Sequence, residues 1–121
     1  YNVEISVPKL GNGERIYVKL PEYEGVGARV LVDGQLAGVV AWDPQEVDVS
    51  SLVAGKDKAR LTIEVLGHRR NGHGPLHNTN RFMHWHGPDS FHYNETNWTE
   101  GYHLVPCGLL GAPKLEVRIA K

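Results

Sequence analysis

The sequence predicts an all-β sandwich of jelly-roll type, on three observations. Apolar and polar residues alternate with a period of two along several short runs, as side chains on a strand must when one face is buried. Helical periodicity is nearly absent, and glycine, proline and aspartate separate the runs where turns are needed. Two sheets that cover one another's apolar faces satisfy this pattern.

Taken in order, Val3, Ile5 and Val7 alternate with Asn2, Glu4 and Ser6, and Ile16, Val18 and Leu20 alternate with Tyr17 and Lys19. Each is expected to be a half-buried strand. The stretch "ARVLVDGQLAGVVAW" holds two strands joined at Asp33-Gly34, a dipeptide suited to a tight hairpin because glycine accepts positive φ. Val47 and Val49 alternate with Glu46 and Asp48 in a further short strand, after which Ser50 is placed to cap a single helical turn before Gly55. Leu61, Ile63 and Val65 face away from Thr62 and Glu64, and Leu115, Val117 and Ile119 face away from Glu116 and Arg118. The expected core is Val3, Ile5, Val7, Ile16, Val18, Val30, Val32, Val39, Val47, Val49, Leu61, Ile63, Val65, Leu115, Val117 and Ile119.

The 121 residues suit one domain, and neither a repeat nor a low-complexity tract divides them. Residues 1–121 are therefore expected to form a single sandwich module. Because the chain enters a strand pattern almost at Tyr1, the module is expected to be excised from a larger enzyme. A formal charge of −1, with no basic run longer than Arg69-Arg70, excludes the electrostatic footprint of a nucleic-acid or anionic-membrane partner. No apolar stretch reaches the ~18 residues that cross a bilayer. The single cysteine, Cys107, allows no internal disulfide and is expected to be a small buried residue rather than a nucleophile.

The stretch from Ala28 to Gly67 resembles the galactose-binding-like jelly rolls attached to bacterial glycoside hydrolases, above all the sugar-binding-type sandwiches of family 2 and rhamnosidase-like enzymes. Val32-Asp33-Gly34, Gly38, Trp42-Asp43-Pro44, Val47-Asp48-Val49-Ser50 and Leu61-Thr62-Ile63-Glu64-Val65 fill the shared pattern. "GHRRNGHGPLHN" and "GYHLVPCGLLGAPKLEVRIA" resemble the closing part of C-terminal modules on such enzymes. The resemblance implies an accessory module without catalytic residues, a parent chain that is a secreted bacterial glycoside hydrolase, and an extracellular or periplasmic location. Its motifs are turn and core features. They leave open whether the module binds glycan or only braces the parent catalytic domain.

Between the last two strands lies a connection of about 35 residues, Gly67 to Gly101, far longer than an ordinary loop and too aromatic for a solvated linker. A pyranose offers an apolar face and a rim of hydroxyls, so its site needs flat rings and directional polar groups. The ligand-binding candidates are Trp85 and Trp98 as platforms with Tyr93 behind them, and Arg69, Arg70, His73, His77 and Asn78 as polar contacts; Asn80 offers a further amide. The competing reading packs this loop against the parent catalytic domain without independent glycan binding. A second alternative is a cupin-like metal enzyme through His84 and His86, which share a face if they lie on a strand. The glutamate such a motif needs is not in place. No cofactor is expected beyond a structural calcium, for which Asp33, Asp43, Asp48 and Asp57 are the available ligands, without a clustered motif. Asn94-Glu95-Thr96 and Asn97-Trp98-Thr99 would accept N-glycans only in a eukaryotic secretory protein.

Overall fold

The computed structural model describes residues 1–80 and 87–119. The chain separates into two compact units, one formed by Tyr1–Gly67 with Cys107–Lys121 and the other by His68–Pro106. The first is an all-antiparallel β-sandwich. Its strands are β1 (Asn2–Ser6), β2 (Glu14–Lys19), β3 (Tyr23–Glu24), β4 (Gly27–Val32), β5 (Gln35–Val40), β6 (Glu46–Asp48), β7 (Lys58–Leu66), β8 (Gly108–Leu109) and β9 (Lys114–Ile119), with a single helical turn, α1 (Ser50–Val53), between β6 and β7. A four-stranded sheet in the order β1-β7-β4-β5 faces a three-stranded sheet in the order β6-β2-β9, and β3 pairs with β8.

The alternation seen in the sequence sets which faces meet. Ile16 and Val18 of β2, Val30 and Val32 of β4, Leu61 and Ile63 of β7, and Val47 and Val49 around β6 are buried together with Ile5, Ala28, Val40, Val53 and Ala59. Val7 and Val65 pack against this cluster half-buried. Asp33 and Gly34 adopt φ of 50° and 84°, the left-handed pair that a two-residue hairpin demands, and join β4 to β5 as expected. The Asp33 carboxylate then accepts from the Arg60 amide and from Lys56, which holds the turn against β7.

Five residues expected in the core are not buried, and Cys107, expected to be buried, is exposed. Val39 lies on the outer face of its sheet, opposite Arg29, because β5 passes through a register shift at Val30/Leu31 that its alternation does not show. Val3, Leu115, Val117 and Ile119 do occupy inner-face positions, as their partners Leu61, Val18 and Ile16 show for the first three, but little covers them. Periodicity reports which face a residue takes, not whether anything lies opposite.

Ser50 also plays a different part from the one expected. The residue before α1 is Val49, and no side chain caps the turn. Instead the Ser50 hydroxyl donates to Asp48 Oδ1 at 2.6 Å and accepts from the Ile16 amide at 2.9 Å, while the Ser50 amide donates to the same Asp48 oxygen. Arg15 reaches the other carboxylate oxygen at 2.7 Å. The "Val-Asp-Val-Ser" step is thus a polar clasp that pins the end of β6 to β2. On the outer face of the same sheet Arg118 of β9 donates to both oxygens of Glu46 on β6, at 2.9 and 2.7 Å, and lies over the Tyr17 ring between them.

Gly38 marks a close approach of the two sheets. A Cβ there would stand 2.8 Å from Val47 Cγ1, inside any normal contact. Gly38→Ala is expected to force β5 away from β6 and to destabilise the sandwich by about 1–3 kcal/mol. A urea midpoint unchanged from wild type would disprove the close fit. The clasp also carries a pH dependence. Partial burial alone would raise the Asp48 carboxyl, but the Ser50 hydrogen bonds and Arg15 outweigh it and hold it below the ordinary aspartate value. A carboxyl depressed on folding stabilises above its unfolded pKa and loses that contribution as pH falls through the folded one. Asp48→Asn is therefore expected to lower stability at neutral pH and to flatten its decline between about pH 5 and pH 2, followed by unfolding at a series of pH values.

Candidate functional site

The second unit, His68–Pro106, holds most of the polar and aromatic residues singled out in the sequence, and its internal order comes from side chains standing in for strand pairing. His68 donates from Nε2 to the Pro106 carbonyl at 2.9 Å and accepts from the Arg70 amide at Nδ1, which fixes its tautomer. Asn71 donates to the Val105 carbonyl at 2.8 Å and accepts from the Val105 amide at 3.0 Å. The two ends of the unit are clasped by three of these bonds, those to Pro106 and Val105. A short helical turn, α2 (Arg70–His73), and a 3₁₀ turn, Pro88–Phe91, are its regular segments among the described residues.

Residues 76–79 run antiparallel to 97–103 through a bridge at Asn78 and Trp98. Thr99 donates to the His77 carbonyl at 2.8 Å and Thr79 to the Asn97 carbonyl at 2.9 Å. This ribbon brings together rings that are far apart in sequence. His77 stacks on Trp98 with centroids 4.3 Å apart and planes 20° from parallel. Tyr102 leans on the other partner, His77, at 4.6 Å, and Tyr93 meets Trp98 edge-on at 5.0 Å. His77 is oriented by donating from Nδ1 to the Thr99 carbonyl.

The four rings form a continuous aromatic group with exposed surface. Trp98 keeps 41% of its area in water and Tyr102 keeps 67%. Tyr93 and Trp98 are presented by a turn that Asn94 and Asn97 build. The Asn94 side chain accepts from the Thr96 hydroxyl and from the amides of Thr96 and Asn97, and Asn97 accepts from the Asn94 amide and donates to the His92 carbonyl. The residues of both sequons thus have a conformational task of their own.

Of the sequence-predicted site residues, the structure brings Tyr93, His77, Asn78 and Trp98 together. Asn78 is buried, with its carbonyl oxygen accepting from the Asn80 amide, its amide donating to the Ser90 carbonyl, and its backbone carbonyl accepting from His103. It is the hub of the unit. Arg69 and His73 are exposed around α2. The Arg70 side chain folds under Gly74, where any added Cβ would collide with it, and its Nη1 is buried without a hydrogen-bond partner among the described residues. Trp85, His84 and His86 lie outside the described residues. Tyr102, just beyond the loop read from the sequence, belongs to the ring group and was not chosen there. Asn71 was missed as well, since a lone asparagine carries no periodic signal.

Among the described residues no three His, Cys, Asp or Glu side chains converge as metal ligands. Asp33 and Asp48, two of the carboxylates available to a calcium, are engaged by Lys56 and Arg15.

No family model matches the chain, and no curated protein matches it. Solved structures do. The rhamnosidase from Novosphingobium sp. PP1Y aligns over 98% of this chain at 21% identity with a TM-score of 0.62, and the FMN-binding beta-glucuronidase from Facaelibacterium prausnitzii L2-6 aligns over 97% at 18% identity with a TM-score of 0.57. The chain spans only 10% and 15% of those two proteins. Its fold therefore recurs as a small part of much longer glycoside hydrolases.

The dependence of the ring group on Asn78 is open to test. Asn78→Ala removes the buried side-chain bonds to the Ser90 carbonyl and the Asn80 amide, at an expected cost of about 1–3 kcal/mol to the second unit. Amide exchange should quicken across 76–79 and 97–103 while β4 and β7 keep their protection. Uniform exchange rates in both proteins would remove Asn78 from this role.

Proposed function

We propose that this chain is a non-catalytic, carbohydrate-binding accessory module of a secreted bacterial glycoside hydrolase, a galactose-binding-like jelly roll whose 67–101 loop is the ligand-facing surface. The observation that carries the reading is the exposed aromatic group of Tyr93, Trp98, His77 and Tyr102. A stacked, hydrogen-bonded set of rings is already rigid, so a sugar settling its C–H face on it meets little ordering cost at the platform. Arg69 and His73 are exposed polar side chains of the same unit and supply directional contacts to hydroxyls. A module of such an enzyme would work where its glycan is abundant, outside the cell or in the periplasm, and the recurrence of the fold inside glycoside hydrolases supports the accessory-module part of this reading.

A second reading has its own support. Phe91, Tyr102 and Leu104 are large apolar residues left exposed on the same unit, which is also what a surface covered by the parent catalytic domain looks like. One experiment separates the two. A glycan screen on the chain, followed by calorimetry, is expected to find a ligand bound with a dissociation constant on the order of 10 μM to 1 mM. Trp98→Ala and Tyr102→Ala should each weaken it about tenfold, or ~1.4 kcal/mol, with the sandwich intact by circular dichroism. Absence of any glycan bound at millimolar concentration rejects the binding reading and leaves the interface.

A further inference from the structure

The sandwich is closed on one side and open on the other. Where β5 meets β6 the sheets touch through Gly38 and Val47, but a four-stranded sheet set against a three-stranded one leaves β1 with no strand facing it. Beneath it lies an apolar cleft of about 520 Å³, walled by Val3, Ile5 and Ile63 above and by Leu109, Pro113 and Leu115, where the chain enters β9, below. Val3 is 50% exposed, Leu115 37% and Val117 41%, although all three sit on inner faces. The shortfall is one strand.

The backbone of β9 says what fits. The amide of Leu20 and the carbonyl of Ile16 bond to Gln45 and Val49, the residues on either side of β6, so Arg15, Tyr17 and Lys19 bond toward β9, where they pair with Arg118, Glu116 and Lys114. The N–H and C=O groups of Leu115, Val117 and Ile119 therefore point away from the sheet, along an edge that no described strand pairs. A helix or a globular surface would fill the cleft and leave those groups unsatisfied. An extended strand satisfies both.

We infer that β9 is the docking edge for a fourth strand of the three-stranded sheet, an extended segment with apolar side chains at alternate positions, donated by the same polypeptide from outside residues 1–121. A second copy of the chain does not fit. Joined β9 to β9, two copies would lay two four-stranded sheets over two three-stranded ones, and the overhanging β1 strands would claim the same space. A strand in cis has no such neighbours, and tethering replaces the entropy of association by a high local concentration. Because this fold occupies 10% and 15% of the solved chains that contain it, polypeptide to donate such a strand is what surrounds the fold there. The inference concerns the first unit alone and stands or falls apart from glycan binding.

The test extends the chain after Lys121 with a flexible Gly/Ser linker and a probe strand of about nine residues alternating threonine and valine, a length typical of β-strands. Residue-resolved amide exchange is read with and without the extension, and sedimentation gives the mass. Expected are fast exchange at Leu115, Val117 and Ile119 in the original chain, protection of about tenfold or more at those three amides in the extended one, and a monomer in both cases. A probe with prolines at alternate positions should protect none of them, and Val117→Lys, which puts a charge on the inner face of β9, should abolish the protection while exchange in β4 stays slow. Protection appearing instead at Asn2, Glu4 and Ser6 would assign the docking edge to β1 and overturn the proposal. So would a dimer with Leu115, Val117 and Ile119 already protected, or no protection at all.

Discussion

Ile16, Val18, Val30, Val49 and Ile63 leave water together, and most of the molecule follows from that requirement. Ile16 and Val18 come from β2, Val30 from β4, Ile63 from β7 and Val49 from the residue after β6, and their chain neighbours are less buried than they are. A sheet that buries one face needs a second sheet over it, so the apolar faces of β4 and β7 and those of β2 and β6 stabilise one another or neither is stable. Loss of any one of these side chains is felt by both layers, because a packed interior relaxes only in part.

The polar devices serve that burial. Asp48, Ser50 and Arg15 fix where β6 ends against β2, and Asp33 fixes where the β4–β5 hairpin sits against β7. Neither set is deep in the core. Both act at strand ends, where a slip of one residue would turn an apolar face outward. The ion pairs of Arg118 with Glu46 and Glu116 bind the three strands of the smaller sheet on its wet side, where each pair on its own contributes little.

The strands themselves were legible because their cause is local: alternation, a glycine after an aspartate, a proline ending a run. Trp42-Asp43-Pro44 and Val47-Asp48-Val49-Ser50 were visible as motifs, yet their physical content was not, since Ser50 finds its partner at Ile16, far away in the chain. The same limit explains Val3, Leu115 and Val117. Their pattern names an inner face truthfully and is silent on the number of strands opposite. In the second unit, Trp98 and Tyr93 were recognisable from residue type alone, as aromatics in a polar stretch. That His77 would be the ring between Trp98 and Tyr102 was not readable, because a bridge at Asn78 and Trp98, closed by the Asn71 clasp, decides it.

The place where the sandwich is interrupted has a further consequence. Gly67 and Cys107 lie side by side, so close that a Cβ on Gly67 would stand 3.1 Å from the Cys107 sulfur. The chain leaves the sandwich and re-enters it at one point, which makes His68–Pro106 an insert rather than a link in the fold's wiring. Closing a gap between neighbouring residues costs the sandwich about the same entropy whether the excursion is long or short, since that cost grows only with the logarithm of its length. Evolution can therefore lengthen, trim or replace the excursion while the two sheets keep their sequence, and an engineer can do the same, treating the sandwich as a socket into which a different loop is set.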